Sequence, residues 1–330
     1  LKDSMRMMPN RRCFAAMLLM LTLLGCAQIP RIHDAPPQSD TPPQSDAVLL
    51  QRLAQADVLL LGEVHDNVVQ HRRRLDWLQQ LALKRRLVLL MEQLDADAQP
   101  AIAAARQALK SVPEAGQDLD RAARAIASAG GFRFDGWDWS LYGPVIRWAI
   151  RQGVELRGAN LSSAQTMAIA RGRAHRLADQ RPPGWGETQE AALAALIREG
   201  HCGLLPERMI VPMVRAQRAR DARMAEAVTE AIAEAVGPAE GPPPALAESS
   251  ASRSLVAPLV ILLAGNGHVR SDVGVPVHLA ERLPSARLVS LGLLEQGNPD
   301  RAAFDEVITT QAQTRQDPCQ ALRQRFGAAG

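Results

Sequence analysis

Five short strand candidates, most of them apolar runs, spaced by helix-like stretches, limit what this chain can fold into more than anything else in it. They occupy residues 58–61, 87–91, 154–158, 259–264 and 287–291. Continuous apolar runs of four to six residues, without polar alternation, are the pattern of strands buried on both faces of a parallel sheet. Helices are expected over 67–83, 100–109, 119–128, 141–151, 162–178, 187–198 and 206–236. In the first of these Val68, Leu75, Leu78 and Leu81 fall largely along one side, with Asp66 available as N-cap. Segments 100–130 and 162–236 offer no strand. The expected architecture is therefore an α/β fold: a mostly parallel central sheet flanked by helices, with a helical accessory lobe.

In such sheets ligands bind beyond the carboxyl ends of the strands. Four of the five runs end in polar groups: Glu63, His65, Asp66 and Asn67 after the first, Glu92 and Gln93 after the second, Asn160 after the third, and Gly265-Asn266-Gly267-His268 after the fourth. Two residues apart on extended backbone, Glu63 and His65 point the same way. Glu63, His65, Glu92 and His268 thus form a candidate cleft suited to general acid/base chemistry or to a metal ion. His71 either joins that cleft or lies on the helix surface. Aromatic residues make up only 3% of the chain, so the cluster Trp137, Trp139, Tyr142 and Trp148 stands out. Trp side chains mostly pack a core or interface, and the lone Tyr142 can equally be a packed phenol with one hydrogen bond. Asp138 is placed to cap the helix that follows.

The N-terminal region addresses the chain to a membrane. Lys2, Arg6, Arg11 and Arg12 precede an 11-residue uncharged run, 14–24, followed by Gly25-Cys26. That run has the length of a signal-peptide core and is too short to span a bilayer. Residues 1–25 are read as a lipoprotein signal peptide with Cys26 as the lipidated mature N-terminus; an ordinary cleaved signal with an incidental Cys is the alternative. Residues 26–47 are a Pro-rich tether in which Pro-Pro-Gln-Ser-Asp occurs twice. Ala27 after the Cys favours the periplasmic face of the outer membrane. Past the leader the chain carries 34 basic and 34 acidic residues, which gives no argument for nucleic acid. Residues 237–252 lack periodicity, are rich in Gly, Pro and Ser, and read as a disordered insertion. Cys202 and Cys319, in an oxidising compartment, form either one disulfide or two buried or free thiols.

Several of these segments together resemble the ChaN family of haem-binding lipoproteins. The carriers are Leu60-Leu61-Gly62-Glu63-Val64-His65-Asp66-Asn67 with His71, Met91-Glu92-Gln93, Trp137-Asp138-Trp139 through Tyr142-Gly143-Pro144, and Arg157-Gly158-Ala159-Asn160. His201-Cys202-Gly203 and Ala264-Gly265-Asn266-Gly267-His268-Val269-Arg270 complete the set. The resemblance covers a domain at 48–295, leaving 296–330 as a C-terminal extension. It implies haem held through a tyrosinate at a homodimer contact, with basic groups meeting the propionates, and a role in haem and iron uptake with an outer-membrane haem receptor as a candidate partner. Tyr142 is then the axial ligand, with His71 and Arg147 as haem contacts. The same segments are similar to the wider superfamily of Tiki proteases, TraB-like proteins and erythromycin esterases. That likeness implies the alternative of a hydrolase working through Glu63, His65, Glu92 and His268, with or without a divalent metal.

Overall fold

The computed structural model describes residues 44–109, 116–236 and 257–326. The signal segment, Cys26, most of the tether and the 237–252 insertion lie outside the described residues. The chain runs through α1 (Gln44–Leu53), β1 (Val58–Leu61), α2 (Val68–Ala82), β2 (Leu87–Asp95), α3 (Gln99–Gln107), α4 (Gly116–Ala129), α5 (Trp139–Arg151) and β3 (Glu155–Asn160). It continues through α6 (Ser163–Ala170), α7 (Glu187–Gly200), α8 (Ile210–Val236), β4 (Leu259–Leu263), α9 (Asn266–Val269), α10 (Val275–Arg282), β5 (Leu288–Glu295), β6 (Glu306–Thr310) and α11 (Pro318–Phe326).

All strands pair in parallel, in the order β3-β2-β4-β1-β5-β6. Alternate residues divide the core. Leu59, Leu61, Leu89, Met91, Ile261 and Leu263 face α1 to α5, while Val58, Leu60, Val88, Leu90, Val260 and Leu262 face α8 and α10. Burial on both faces is why these runs carry no polar alternation. Beyond the sheet, Trp185, Leu193, Ile210, Val214 and Val273 form a separate apolar cluster, the core of the helical lobe.

Three local expectations are corrected. Asn67, not Asp66, caps α2: its side chain accepts from the Gln70 N–H at 3.1 Å, and Asp66 is left to pair with Arg315. The helix expected over 162–178 ends at Ala170. The fold begins before residue 47, because α1 takes in the last residues of the tether. There Asp46 is buried and accepts hydrogen bonds from Arg73 (Nη2, 2.6 Å) and Trp77 (Nε1, 3.1 Å). A sixth strand, β6, comes from the 296–330 segment and was not among the five runs. Its sequence Glu-Val-Ile-Thr-Thr is only partly buried at the sheet edge, so it lacks the apolar run that marks a central strand.

Candidate functional site

Two buried carboxylates at the carboxyl edge of the sheet organise the site. Glu63 follows β1 and Glu92 lies in the second half of β2; each is less than 4% exposed. A carboxylate this deep requires charged or polar partners.

For Glu63 they come from α2 and α5. Its Oε1 accepts from the Tyr142 hydroxyl at 2.6 Å and lies 3.0 Å from His65 Nδ1, while Oε2 receives the Arg74 guanidinium. Arg74 is itself buried, and burial lowers its pKa to about 10, so it remains a cation at neutral pH. His71 is enclosed beside it, its Nε2 2.9 Å from the His65 carbonyl oxygen and its Nδ1 3.0 Å from Arg74. Burial brings His71 down to about 4 and keeps it neutral. Tyr142 is 1% exposed, and burial pushes its phenol pKa up. The helix capped by Asp138, which accepts from the Ser140 N–H at 2.8 Å, delivers Tyr142 in its first turn.

Around Glu92 the partners come from α8 and the turn after β4. Arg220 donates to its Oε1 at 2.7 Å, and the Gly265 N–H to its Oε2 at 2.7 Å. His268 stands between two carboxylates, with Nε2 3.3 Å from Glu92 and Nδ1 2.5 Å from Asp221. Burial works against its charge, but Glu92 and Asp221 together raise its pKa to about 9, so His268 is an imidazolium at neutral pH. Burial alone would also raise Glu92; His268, His65 and Arg220 overcome this and hold it well below the usual carboxylate range. Asp221 goes the other way, raised by its complete burial, and its Oδ2 has no hydrogen-bond partner among the described residues.

His65 links the two halves. Its side chain is 44% exposed, and its ring meets Trp137 edge-on with centroids 4.9 Å apart. Desolvation of its inner side lowers its pKa against the pull of Glu92, which favours neutral imidazole. With Nδ1 held by Glu63, the ring's Nε2–Cε1 edge lies on Gly265. A Cβ there would come within 2.7 Å of both ring atoms, so only glycine lets the β1 and β4 turns meet. Gly62 is subject to the same restriction, because a Cβ would fall 2.3 Å from Asn266 Oδ1. Asn266 itself pairs with β5 like a strand residue, donating to the Leu293 carbonyl at 2.6 Å and accepting from its N–H at 3.1 Å.

The structure therefore gathers Glu63, His65, Glu92, His268, His71 and Tyr142 at one edge, with Asn160 bracing Glu92 through its backbone carbonyl at 3.1 Å. Arg147 lies elsewhere. It is five residues beyond Tyr142, about 140° around the helix, and its guanidinium pairs with Asp120 on α4. Asp120 also accepts from Trp139 Nε1 at 3.0 Å, which draws Trp139 away from His65 and toward Arg124. Among the described residues no group of three or more His, Cys, Asp or Glu side chains is arranged to hold a metal ion. Sequence reasoning missed Arg74, Arg220 and Asp221. A signal existed for Asp221: it falls on the buried stripe Val214, Arg218, Asp221, Ala225, Val228 of α8, where helical spacing calls for apolar residues. Cys202 and Cys319 are bonded, with Cα atoms 5.8 Å apart and 117 residues between them in sequence.

A parallel α/β domain with two carboxylate–histidine clusters at the strand ends defines the class. The chain belongs to the family described as haem-binding uptake, Tiki superfamily, ChaN, whose model matches residues 49–279. Among solved structures, Campylobacter jejuni ChaN, determined for cofacial haem binding, is 21% identical with a TM-score of 0.60, over 79% of this chain and 90% of that one; the likeness shows a shared fold. An erythromycin esterase mutant in its open conformation is more distant, at 15% identity and a TM-score of 0.42 over 82% of this chain and 80% of that one. No curated protein matches the chain by sequence.

The family's ligand can be tested against these residues. The Tyr142 oxygen is enclosed by Glu63 and by His65, whose Nδ1 is 3.2 Å away, so as packed it does not face open space. Half-exposed His65 and Trp137 are the groups at the mouth that fit a flat aromatic ligand. His71, neutral and enclosed, and Arg147, paired with Asp120, are both committed to protein partners.

Proposed function

We propose that this protein binds haem at the mouth of the strand-end site, against His65 and Trp137, with Tyr142 directly behind them. Family membership across residues 49–279 carries the reading, and the edge-to-face His65–Trp137–Tyr142 group supports this choice of surface. When bound, haem supplies a ferric centre that favours a hard anionic oxygen. Tyr142 is prepared for that role in one respect: its proton already lies on a 2.6 Å hydrogen bond to Glu63 Oε1, a ready acceptor. Opening the Tyr142–Glu63 bond would turn the phenol oxygen toward the mouth, and Arg74 would keep Glu63 compensated as it does so. The lipoprotein-type signal segment and the tether support a protein anchored through Cys26 at the periplasmic face of the outer membrane, working as a homodimer in haem and iron uptake and exchanging haem with an outer-membrane receptor. A haemin titration followed by visible spectroscopy tests the site. Wild type should give a saturable high-spin spectrum, Tyr142→Phe should lose the tyrosinate charge-transfer band, and His65→Ala should weaken binding. Absence of binding by wild type would remove the reading.

A second reading has its own observation. His65 is a neutral imidazole oriented by a carboxylate at Nδ1, which is the arrangement of a general base. With Glu92 and His268 adjacent, the site would suit ester or lactone hydrolysis. Turnover of such substrates that disappears in both Glu63→Gln and His65→Ala would establish it; a flat rate in wild type would dismiss it.

A further inference from the structure

The segment from Gln311 to Cys319 leaves the end of β6 and does not return to the core. Most of its described residues are exposed, while Gln313 and Cys319 are half-buried. Near its start, Asn67 Nδ2 donates to the Gln311 carbonyl at 3.2 Å, and the Gln313 N–H donates to Glu295 at 3.2 Å. At its middle the Arg315 guanidinium forks between Glu295, at 2.7 and 2.8 Å, and Asp66, at 2.5 and 2.6 Å. At its far end Cys319 is bonded to Cys202 in the turn between α7 and α8.

Strand order gives this path its meaning. From the sheet edge at β6 the segment passes β5, through Glu295, and reaches β1, through Asp66, the residue next to His65. The disulfide then ties it to the lobe, whose helix α8 carries Arg220 and Asp221 into the site. Sheet edge, strap, disulfide and lobe are thus joined in one covalently closed loop that passes Asp66, the neighbour of His65. Cys202 holds a left-handed backbone, φ 60°, which a non-glycine residue adopts at a cost and keeps only when its surroundings impose it. Both cysteines are half-buried, neither of them enclosed in the core, which leaves the bond open to an attacking thiolate.

We infer that residues 311–319 form a disulfide-latched strap across the mouth of the His65 site, and that reduction of Cys202–Cys319 releases the strap and opens the mouth to a flat ligand of porphyrin size. In the step a dithiol attacks one sulfur, forms a mixed disulfide and then closes its own ring. Two electrons and two protons pass to the cysteines, leaving two thiols here and one disulfide in the reductant. The remaining holds are the Arg315 fork and the Asn67–Gln311 and Gln313–Glu295 hydrogen bonds, polar contacts that compete with water. The ligand size rests on the haem reading; the strap itself does not.

Acylation of imidazoles by diethyl pyrocarbonate, mapped by peptide mass spectrometry, tests this on the folded protein. With dithiothreitol, His65 should be labelled about fivefold faster, while His175, remote from the strap, stays unchanged. Cys319→Ser should reproduce the reduced state without reductant, Arg315→Ala should give part of the effect, and reoxidation should reverse it in wild type. An unchanged His65 rate, with both thiols shown free by alkylation, would overturn the inference even if Cys319→Ser fails to fold. Haemin association should be faster in the reduced form. If haemin binds neither form while His65 labelling rises, the haem reading fails and the strap stands.

Discussion

Glu63 and Glu92 are the same device used twice, a buried carboxylate at a strand end met by an arginine from a helix, yet the histidine beside one is neutral and the histidine beside the other is a cation. His268 touches two carboxylates, Asp221 and Glu92, and is raised to about 9. His71 touches a backbone carbonyl and the Arg74 guanidinium, with one carboxylate oxygen, Glu63 Oε2, at 3.6 Å and already paired to Arg74, and burial lowers it to about 4. Both rings are buried, so burial cannot explain the difference. The number of anions within contact decides it. One half of the site stores a proton at neutral pH and the other excludes one, with His65 exposed between them.

The comparison breaks most sharply if the arginines are removed. Arg74→Met strands Glu63 in a fully enclosed pocket and should cost about 3–5 kcal/mol in urea unfolding. Arg220→Met should cost less, about 1–3 kcal/mol, because His268 and the Gly265 N–H remain on Glu92 and Arg220 is itself 22% exposed. Equal losses would mean that the two carboxylates are not held differently.

Stability against pH separates the histidines. His268, raised from 6.5 to about 9, contributes stability that is full below 6.5 and disappears as pH climbs through 9, of order 3 kcal/mol. His71, lowered from 6.5 to about 4, contributes stability that is full above 6.5 and disappears as pH falls toward 4. NMR titration of the imidazole C2 protons should find one ring titrating on each side of neutrality. His268→Gln should flatten the alkaline limb of the stability profile and His71→Asn the acid limb; a single limb responding to both variants would merge the two halves into one coupled system.

Smaller effects sharpen the picture. Tyr142→Phe removes the hydroxyl donor to Glu63 and should cost about 1.5–3 kcal/mol, since the acceptor is charged. Tyr142 has no contact with the Glu92 carboxylate among its hydrogen bonds, so the His268 titration should stay in place. Gly265→Ala puts a methyl against the His65 ring and should cost about 1–3 kcal/mol by overpacking. Here the informative readout is His65, whose displacement should shift its C2 proton while His71 is untouched.

Much of the sheet was legible because a strand buried on both faces must be apolar throughout, and β1 and β4 announce themselves that way. β6 escaped because an edge strand, half-covered, need not be apolar. Glu63, His65, Glu92 and His268 could be read as site candidates from their position just past strand ends. Their partners could not: Arg74 lies on α2 among three consecutive arginines, Arg72, Arg73 and Arg74, and only packing shows which one turns inward. Arg147 illustrates the converse, because its charge suggested a role near Tyr142 that helical phase assigns to Asp120 instead.

By itself, the sequence determined the parallel sheet, the helical lobe and the clustering of carboxylates and imidazoles at one edge, since each follows from local periodicity and from where strands stop. Tertiary structure alone decided which arginine meets which carboxylate, that Tyr142 is enclosed behind His65, and that His268 is charged where His71 is neutral. The physical reason is range. Backbone conformation answers to neighbours a few residues away, whereas the charge of a buried side chain is set by groups within a few ångströms, and here they come from positions 47 and 176 residues apart from His268 along the chain.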